Sequence, residues 1–173
     1  MNPAAMQPLL VSLTVCLLAW VTPLFSAESP AASIHGRIVS VSDGDTLTVL
    51  DGENRQHKIR VAGIDAPERK QPFGQRSKSG LSDCSFGKTV EIVGDKRDKY
   101  GRTVGKVIAD SRDCGLAQVN AGLAWHYKAY EREQPKADRE AYSQAEDAAR
   151  KAGIGLWSEP SPVPPWQWRK GRR

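Results

Sequence analysis

Hydrophobic and β-branched residues occur in short runs in the first half of the chain, and polar turns separate these runs. Three of them cover residues 34–41, 46–50 and 55–61, with Asp43-Gly44 and Asp51-Gly52 between them. Because Asp-Gly is a favoured hairpin turn, this alternation predicts a three-stranded meander.

The pattern then changes to one helix followed by two strands. A loop rich in glycine and proline at 66–74 precedes a short predicted helix near 75–83, and strands are predicted near 89–93 and 103–108. The order βββαββ is that of a small Greek-key barrel.

Two further helices are predicted after the barrel. The first covers residues 115–121, and the second lies between Pro135 and Gly153, which are typical of the start and the stop of a helix. Within this last helix, alanines recur at helical spacing, at Ala137, Ala141, Ala145 and Ala149. The predicted fold is therefore α+β and mainly β, a five-stranded barrel with three helices.

The N-terminal segment has the features of an export signal. An apolar run at residues 9–25, broken by Pro23, is followed by small and polar residues, which is typical of a secretory signal peptide. Cleavage after Ala31 suits the sequence better than cleavage after Ala27, because Phe25 is a poor −3 residue. We expect an exported protein, periplasmic or secreted, with a signal peptide at 1–31 and one domain at 32–157. An uncleaved membrane anchor is the alternative, although spanning usually needs about 20 apolar residues.

The C-terminal tail, residues 158–173, is rich in proline and ends in tryptophan, arginine and lysine. Its prolines exclude a central strand or helix. Two alternatives stay open: the aromatic and basic side chains contact single-stranded nucleic acid, or the tryptophans cover the surface of the barrel.

Cysteine usage and charge add weaker information. Outside the apolar run the chain has Cys84 and Cys114. An even pair in an oxidising compartment often forms a disulfide, but two buried free thiols are an equal alternative. No Cys/His cluster has zinc-ligand spacing. The net charge of +5 suits a polyanionic partner, although charge alone mostly reports solubility.

Five charged residues in three short clusters suggest the chemistry. The carboxylates of Asp45, Asp65 and Glu68 offer hard oxygen ligands and a possible base, and Arg60 and Arg102 offer forked donors to a phosphoryl group. Each cluster alone is explained by turn or strand-end structure. Together they indicate a metal-assisted phosphodiesterase.

These clusters resemble those of the staphylococcal nuclease, or thermonuclease, family. The resemblance covers residues 34–159 and includes Asp43-Gly44-Asp45-Thr46, the segment 60–68, Asp98-Lys99-Tyr100-Gly101-Arg102, Gly122-Leu123-Ala124 and Leu156-Trp157-Ser158-Glu159. It implies an OB-fold barrel. It also implies calcium-dependent, sugar-non-specific hydrolysis of DNA and RNA to 3′-phosphorylated products. We expect the substrate to be preferentially single-stranded or exposed nucleic acid, and the enzyme to be a monomer.

The resemblance also implies roles for individual residues. Asp45, Asp65 and the carbonyl of Ala66 would bind calcium, with Ala66 in place of the family's common threonine. Glu68 would orient or deprotonate the attacking water, and Arg60 and Arg102 would hold the phosphate.

Three more residues match substrate contacts in the family. Lys99 and Tyr100 would contact a terminal nucleotide phosphate, while Tyr130 either stacks on a base or packs on the surface. The loop 69–74 is shorter than in the best-known member. The alternative to an enzyme is a non-catalytic OB-fold module that binds nucleic acid; such a module would be expected to have lost some of the five charged residues, and this chain has all five.

Overall fold

The computed structural model describes residues 33–171 of the chain. In chain order, the elements are β1 (Ser33–Val41), β2 (Thr46–Asp51), β3 (Gln56–Val61), β4 (Ile64–Asp65), α1 (Gly74–Ser85), β5 (Thr89–Val93), β6 (Thr103–Ala109), β7 (Arg112–Asp113), α2 (Cys114–Asn120), β8 (Trp125–His126), a 3₁₀ helix (Lys128–Glu133), α3 (Lys136–Ala152), a second 3₁₀ helix (Gly155–Ser158) and α4 (Pro165–Lys170). The five predicted strands and three predicted helices are all present, with bounds that differ by one or two residues.

Five strands close into a mixed barrel. Strand β1 pairs antiparallel with both β2 and β5, β2 continues to β3, and β5 continues to β6. The barrel closes through a parallel pairing of β3 with β6, in which Arg60 lies opposite Val104. This closure confirms the predicted OB-fold barrel.

The barrel core follows from the two-residue period of the strands. Side chains at alternate positions point to the same face of a strand, and in β6 every second residue from Thr103 to Ala109 is buried. Leu47 and Val49 of β2 and Ile59 of β3 are fully buried in the same core. The candidate site residues Asp45, Arg60 and Arg102 lie next to the ends of these strands.

The helices pack on one another and are covalently tied. Asp113 caps α2 by accepting hydrogen bonds from the backbone N–H groups of Gly115 and Leu116, and the buried Tyr142 of α3 donates its hydroxyl to the same carboxylate. Cys84 near the end of α1 and Cys114 at the start of α2 form a disulfide. This settles the choice between a disulfide and two free thiols.

Helix α4 is not among the predicted elements, although it lies outside the barrel and so agrees with the exclusion of a central helix. Proline at its first position is favourable, because the missing N–H has no helical partner there. The expected signal peptide, 1–31, lies outside the described residues. Within residues 33–171, no helix is long and apolar enough to cross a membrane.

We predict that the disulfide makes a large contribution to stability. Cys84 and Cys114 are 30 residues apart. Cross-linking a loop of that length lowers the entropy of the unfolded chain and so raises its free energy by about 3–4 kcal/mol. The double variant C84A/C114A should lose about this much free energy of unfolding, measured by urea denaturation. As a control, a reductant should destabilise the wild type and leave the double variant unchanged; a wild type insensitive to reductant would contradict the prediction.

Candidate active site

The turn before β2 aims the Asp45 carboxylate into the protein. The backbone N–H of Asp45 donates to Asp43 Oδ1 at 3.1 Å, which is an Asx-type turn contact. The Asp45 carboxylate accepts from Thr46 Oγ1 at 3.0 Å and from the backbone N–H of Ala66 at 2.8 Å. Asp45 is thereby buried and joined to the segment that carries Asp65.

Close packing under this turn depends on Gly44. A Cβ added there would lie 1.8 Å from Ser77 Oγ and 2.7 Å from the Cβ of Ala66. The amide of Gln118 in α2 donates to the carbonyls of Gly44 and Ser77, at 3.0 and 2.8 Å. The glycine is therefore required by the close approach of helix α1 behind the turn.

Asp65 lies in β4 and pairs with Trp125 of β8. It is 1% exposed, and one guanidinium nitrogen, Arg60 Nη2, lies 3.0 Å from Asp65 Oδ1 and 3.3 Å from Asp45 Oδ2. The other arm, Nη1, donates to the carbonyl of Val61 at 2.9 Å. Arg60 thus sits between the two buried carboxylates.

Burial controls the acidity of Asp65 and Asp43. It raises the pKa of Asp65, although Arg169 and Arg60 act in the opposite direction. Burial, reinforced by the charge of Asp45, raises the pKa of Asp43 to about 6. A nearby cation or hydrogen-bond donor favours the charged form of a buried carboxylate, and Arg169 and Arg60 act as the cations beside Asp65.

Arg102 reaches the same group from the turn before β6. Its guanidinium binds Asp98 Oδ2 at 2.7 Å through Nε and Nη2. Its Nη1 donates to Thr46 Oγ1 at 3.2 Å, and that hydroxyl in turn binds Asp45. Arg102 is therefore linked to the carboxylates through one hydroxyl.

Glu68 lies on the loop that follows β4. Its backbone N–H donates to Gln71 Oε1 at 3.1 Å and its carbonyl accepts from the backbone N–H of Gln71 at 2.8 Å. The Glu68 side chain is 39% exposed. The loop therefore fixes the backbone and leaves the carboxylate accessible to water.

The predicted substrate residues lie on two different segments. The Tyr100 ring is 72% exposed, with Lys99 Nζ 5.1 Å and the Arg102 guanidinium 5.4 Å from its centroid. Tyr130 is exposed in the first 3₁₀ helix, with its ring 5.4 Å from that of Tyr127. Lys99 and Tyr100 thus adjoin Arg102, whereas Tyr130 belongs to an aromatic group on the other segment.

The sequence analysis missed one residue of this site, Arg169 of α4. Its guanidinium binds Asp65 and Glu68 together. The only sequence signal was the basic and aromatic composition of the tail, which gives no indication of a partner about 100 residues earlier in the chain.

The donor types present fit a hard divalent cation. Calcium prefers carboxylate and carbonyl oxygens, and Asp45, Asp65 and the carbonyl of Ala66 supply them. The contact of Arg60 Nη2 with both carboxylates indicates that they face one common point. Among residues 33–171, however, no group of three or more His, Cys, Asp or Glu side chains is arranged to hold a metal ion. Guanidinium groups neutralise the carboxylates instead.

The chain is similar in sequence to one protein family and to several individual proteins. The family model described as staphylococcal nuclease homologue matches residues 58–159. An uncharacterized endonuclease of Haemophilus influenzae is 42% identical over 78% of this chain and 72% of its own length. An uncharacterized endonuclease of Escherichia coli is 40% identical over 84% of this chain and 92% of its own, and a micrococcal nuclease of Shigella flexneri is 38% identical over 82% and 84%. Helix α4 lies beyond residues 58–159, which the family model matches.

We predict that Gly44→Ala disturbs the site through packing alone. The added methyl group overlaps Ser77 and Ala66, and overpacking of this kind costs about 1–3 kcal/mol. The free energy of unfolding should fall by that amount, and hydrogen exchange at the Ala66 amide should accelerate.

Gly52→Ala is the matched control, because a Cβ at Gly52 would meet nothing within 4 Å. Its stability should change by no more than about 0.5 kcal/mol. Equal effects of the two substitutions would contradict the packing explanation.

Proposed function

We propose a specific activity for this chain, which belongs to the staphylococcal nuclease family and is a nuclease. The proposed activity is calcium-dependent, sugar-non-specific hydrolysis of DNA and RNA to 3′-phosphorylated products. The observation that carries the proposal is the convergence of Asp45 and Asp65 on one guanidinium nitrogen, with Arg102 joined to them through Thr46. Two buried carboxylates and two arginines at one place suit a cation and a phosphate side by side.

Asp45, Asp65 and the Ala66 carbonyl would hold the calcium ion. When bound, the ion would supply a hard Lewis acid that neutralises charge between the site and a phosphodiester. The backbone of Ala66 is already fixed for this role, since its N–H donates to Asp45. Alanine keeps the carbonyl that the family's threonine would present.

Glu68 acts on the water in this proposal. It accepts a proton from the water whose oxygen forms the new bond to phosphorus, and the bond from phosphorus to the 5′ oxygen breaks. A half-exposed carboxylate on a fixed loop can exchange water and proton with solvent, as a general base must.

Arg60 and Arg102 would stabilise the phosphoryl oxygens as charge develops on them. Preorganised donors of this kind act best where water is excluded, and the Arg60 side chain is only 14% exposed. Arg102 also donates a hydrogen bond to the leaving 5′ oxygen in this assignment, and that oxygen takes its proton from solvent water. Lys99 and Tyr100, beside Arg102, would contact the nucleotide, with Tyr130 as an additional stacking surface.

The disulfide is consistent with action outside the cytoplasm. Such bonds persist in oxidising compartments, so we extend the proposal to an exported enzyme that degrades exposed or single-stranded nucleic acid. The chain would act as a monomer. The alternative is a non-catalytic binding module. Cleavage of nucleic acid in the following experiment would exclude it.

We predict that single-stranded DNA is cleaved in Ca²⁺ and not in EDTA. Arg102→Ala should lower the rate about 10²–10³-fold, because it removes a charged donor to the transition state. Glu68→Gln should lower the rate at least about 10²-fold, because the amide cannot accept the proton. Both rates are measured at saturating substrate and calcium, and the product ends are identified by labelling.

Arg112→Ala is the control for the loss of an arginine, because Arg112 is an exposed residue of β7; its rate should equal that of the wild type. Absence of calcium-dependent cleavage by folded wild type would contradict the proposed reaction. Full activity of both site variants would contradict the roles of Glu68 and Arg102.

A further inference from the structure

We propose that α4 is an internal competitor of the calcium ion, with Arg169 occupying Asp65, one of the carboxylates that the ion must bind, and Glu68 beside it. The inference rests on the proposed function, because it concerns regulation of the same site. Helix docking and calcium binding would then exclude each other, and calcium would displace Arg169 before catalysis.

The contacts of Arg169 are those of a counter-ion. Its Nη2 lies 2.8 Å from Asp65 Oδ2, and its Nη1 lies 2.9 Å from Glu68 Oε1 and 3.3 Å from Asp65 Oδ1. A guanidinium presents such paired donors in a fixed plane. One side chain thus joins the proposed metal ligand to the proposed base.

Both oxygens of Asp65 are engaged by arginines. Oδ2 accepts from Arg169, and Oδ1 accepts from Arg60 at 3.0 Å. Calcium binds carboxylate oxygens at about 2.3–2.6 Å. An ion that close to Asp65 would also lie close to the arginines bound to it, and like charges at short distance repel strongly where water is excluded. Asp65 is 1% exposed, so an ion cannot be added beside both arginines without displacing one of them.

The rest of α4 holds Arg169 in this position. The Trp166 ring packs edge-on against Trp125 with centroids 5.5 Å apart, and it stacks on Tyr127 at 5.5 Å. Just before the helix, the carbonyl of Val163 accepts from Gln71 Nε2. Trp125 is the strand partner of Asp65, and Gln71 binds the loop of Glu68. The helix is therefore docked on the two elements that carry the carboxylates.

Arg169 is the displaceable arginine of the pair. Its side chain is 44% exposed, whereas that of Arg60 is 14% exposed. Arg60 also donates to the backbone of Val61. Solvent can therefore accept the guanidinium of Arg169 when a divalent cation binds Asp65. Arg60 Nη2, which lies between Asp45 and Asp65, would also move aside, while Nη1 keeps its contact with Val61.

A direct test is calcium binding by the full, disulfide-bonded chain, measured by titration calorimetry without nucleic acid. Arg169→Gln should bind calcium about tenfold more tightly than the wild type, because no cation has to be displaced. Lys170→Gln removes a positive charge from the same short helix and is the matched control. Its affinity should stay within about twofold of the wild type.

Tryptophan fluorescence gives a second readout. Calcium should change the emission of the wild type, because Trp166 leaves Trp125 and Tyr127 when the helix is displaced. Trp166→Phe should abolish most of this change. Arg169→Gln should show the altered emission before calcium is added.

Equal calcium affinity of Arg169→Gln and the wild type would overturn the inference, as would weaker binding by the variant, which would make Arg169 a supporting residue. In either case, calcium-dependent cleavage by the wild type would leave the proposed function intact. If neither protein binds calcium and neither cleaves DNA, the proposed function fails and the competitor role fails with it.

Discussion

The site depends on the burial of Asp45 and Asp65 beside each other. Two carboxylates removed from water repel each other and lose hydration, so each needs a cation or a hydrogen-bond donor close by. Arg60 meets part of this need from within the barrel, since its Nη2 contacts both carboxylates. The negative charge that Arg60 does not neutralise needs a second cation. A divalent ion supplies that charge in the proposed reaction, and Arg169 supplies it in the structure described.

The barrel creates this burial through its strand ends. Asp45 immediately precedes β2 and Asp65 belongs to β4, and the hydrogen bond from Ala66 to Asp45 fixes one segment to the other. Helix α1 packs under the turn so closely that only glycine fits at position 44. Because Gln118 ties that turn to α1 and α2, the geometry of the candidate site depends on the helices as well as on the barrel.

Strands and helices were predictable because their signals are local. Alternating residues, Asp-Gly turns and the alanine spacing of α3 lie within a few residues of what they determine. The five charged residues were also predictable, since they occur in short motifs. Three features were not. The disulfide needed the position of α1 on α2, the packing role of Gly44 needed Ser77, and Arg169 needed the docking of a tail on residues about 100 positions earlier. Composition showed that the tail was basic and aromatic, but these contacts depend on the folded chain.

Arg60 and Arg169 both bind Asp65, and each meets a requirement of the site that the other does not. A cation that stabilises buried carboxylates in the absence of metal should bind them well, yet the proposed binding of calcium needs a counter-ion that leaves easily. Solvent competes for an exposed cation, and the Arg169 side chain is about three times as exposed as that of Arg60, although its partner Asp65 is buried. Its paired hydrogen bonds give Arg169 a defined position, while its exposure lets solvent take up the guanidinium when it leaves. In this proposal, helix α4 can therefore neutralise Asp65 and Glu68 and still be displaced by calcium, while Arg60 keeps its contact with the backbone of Val61.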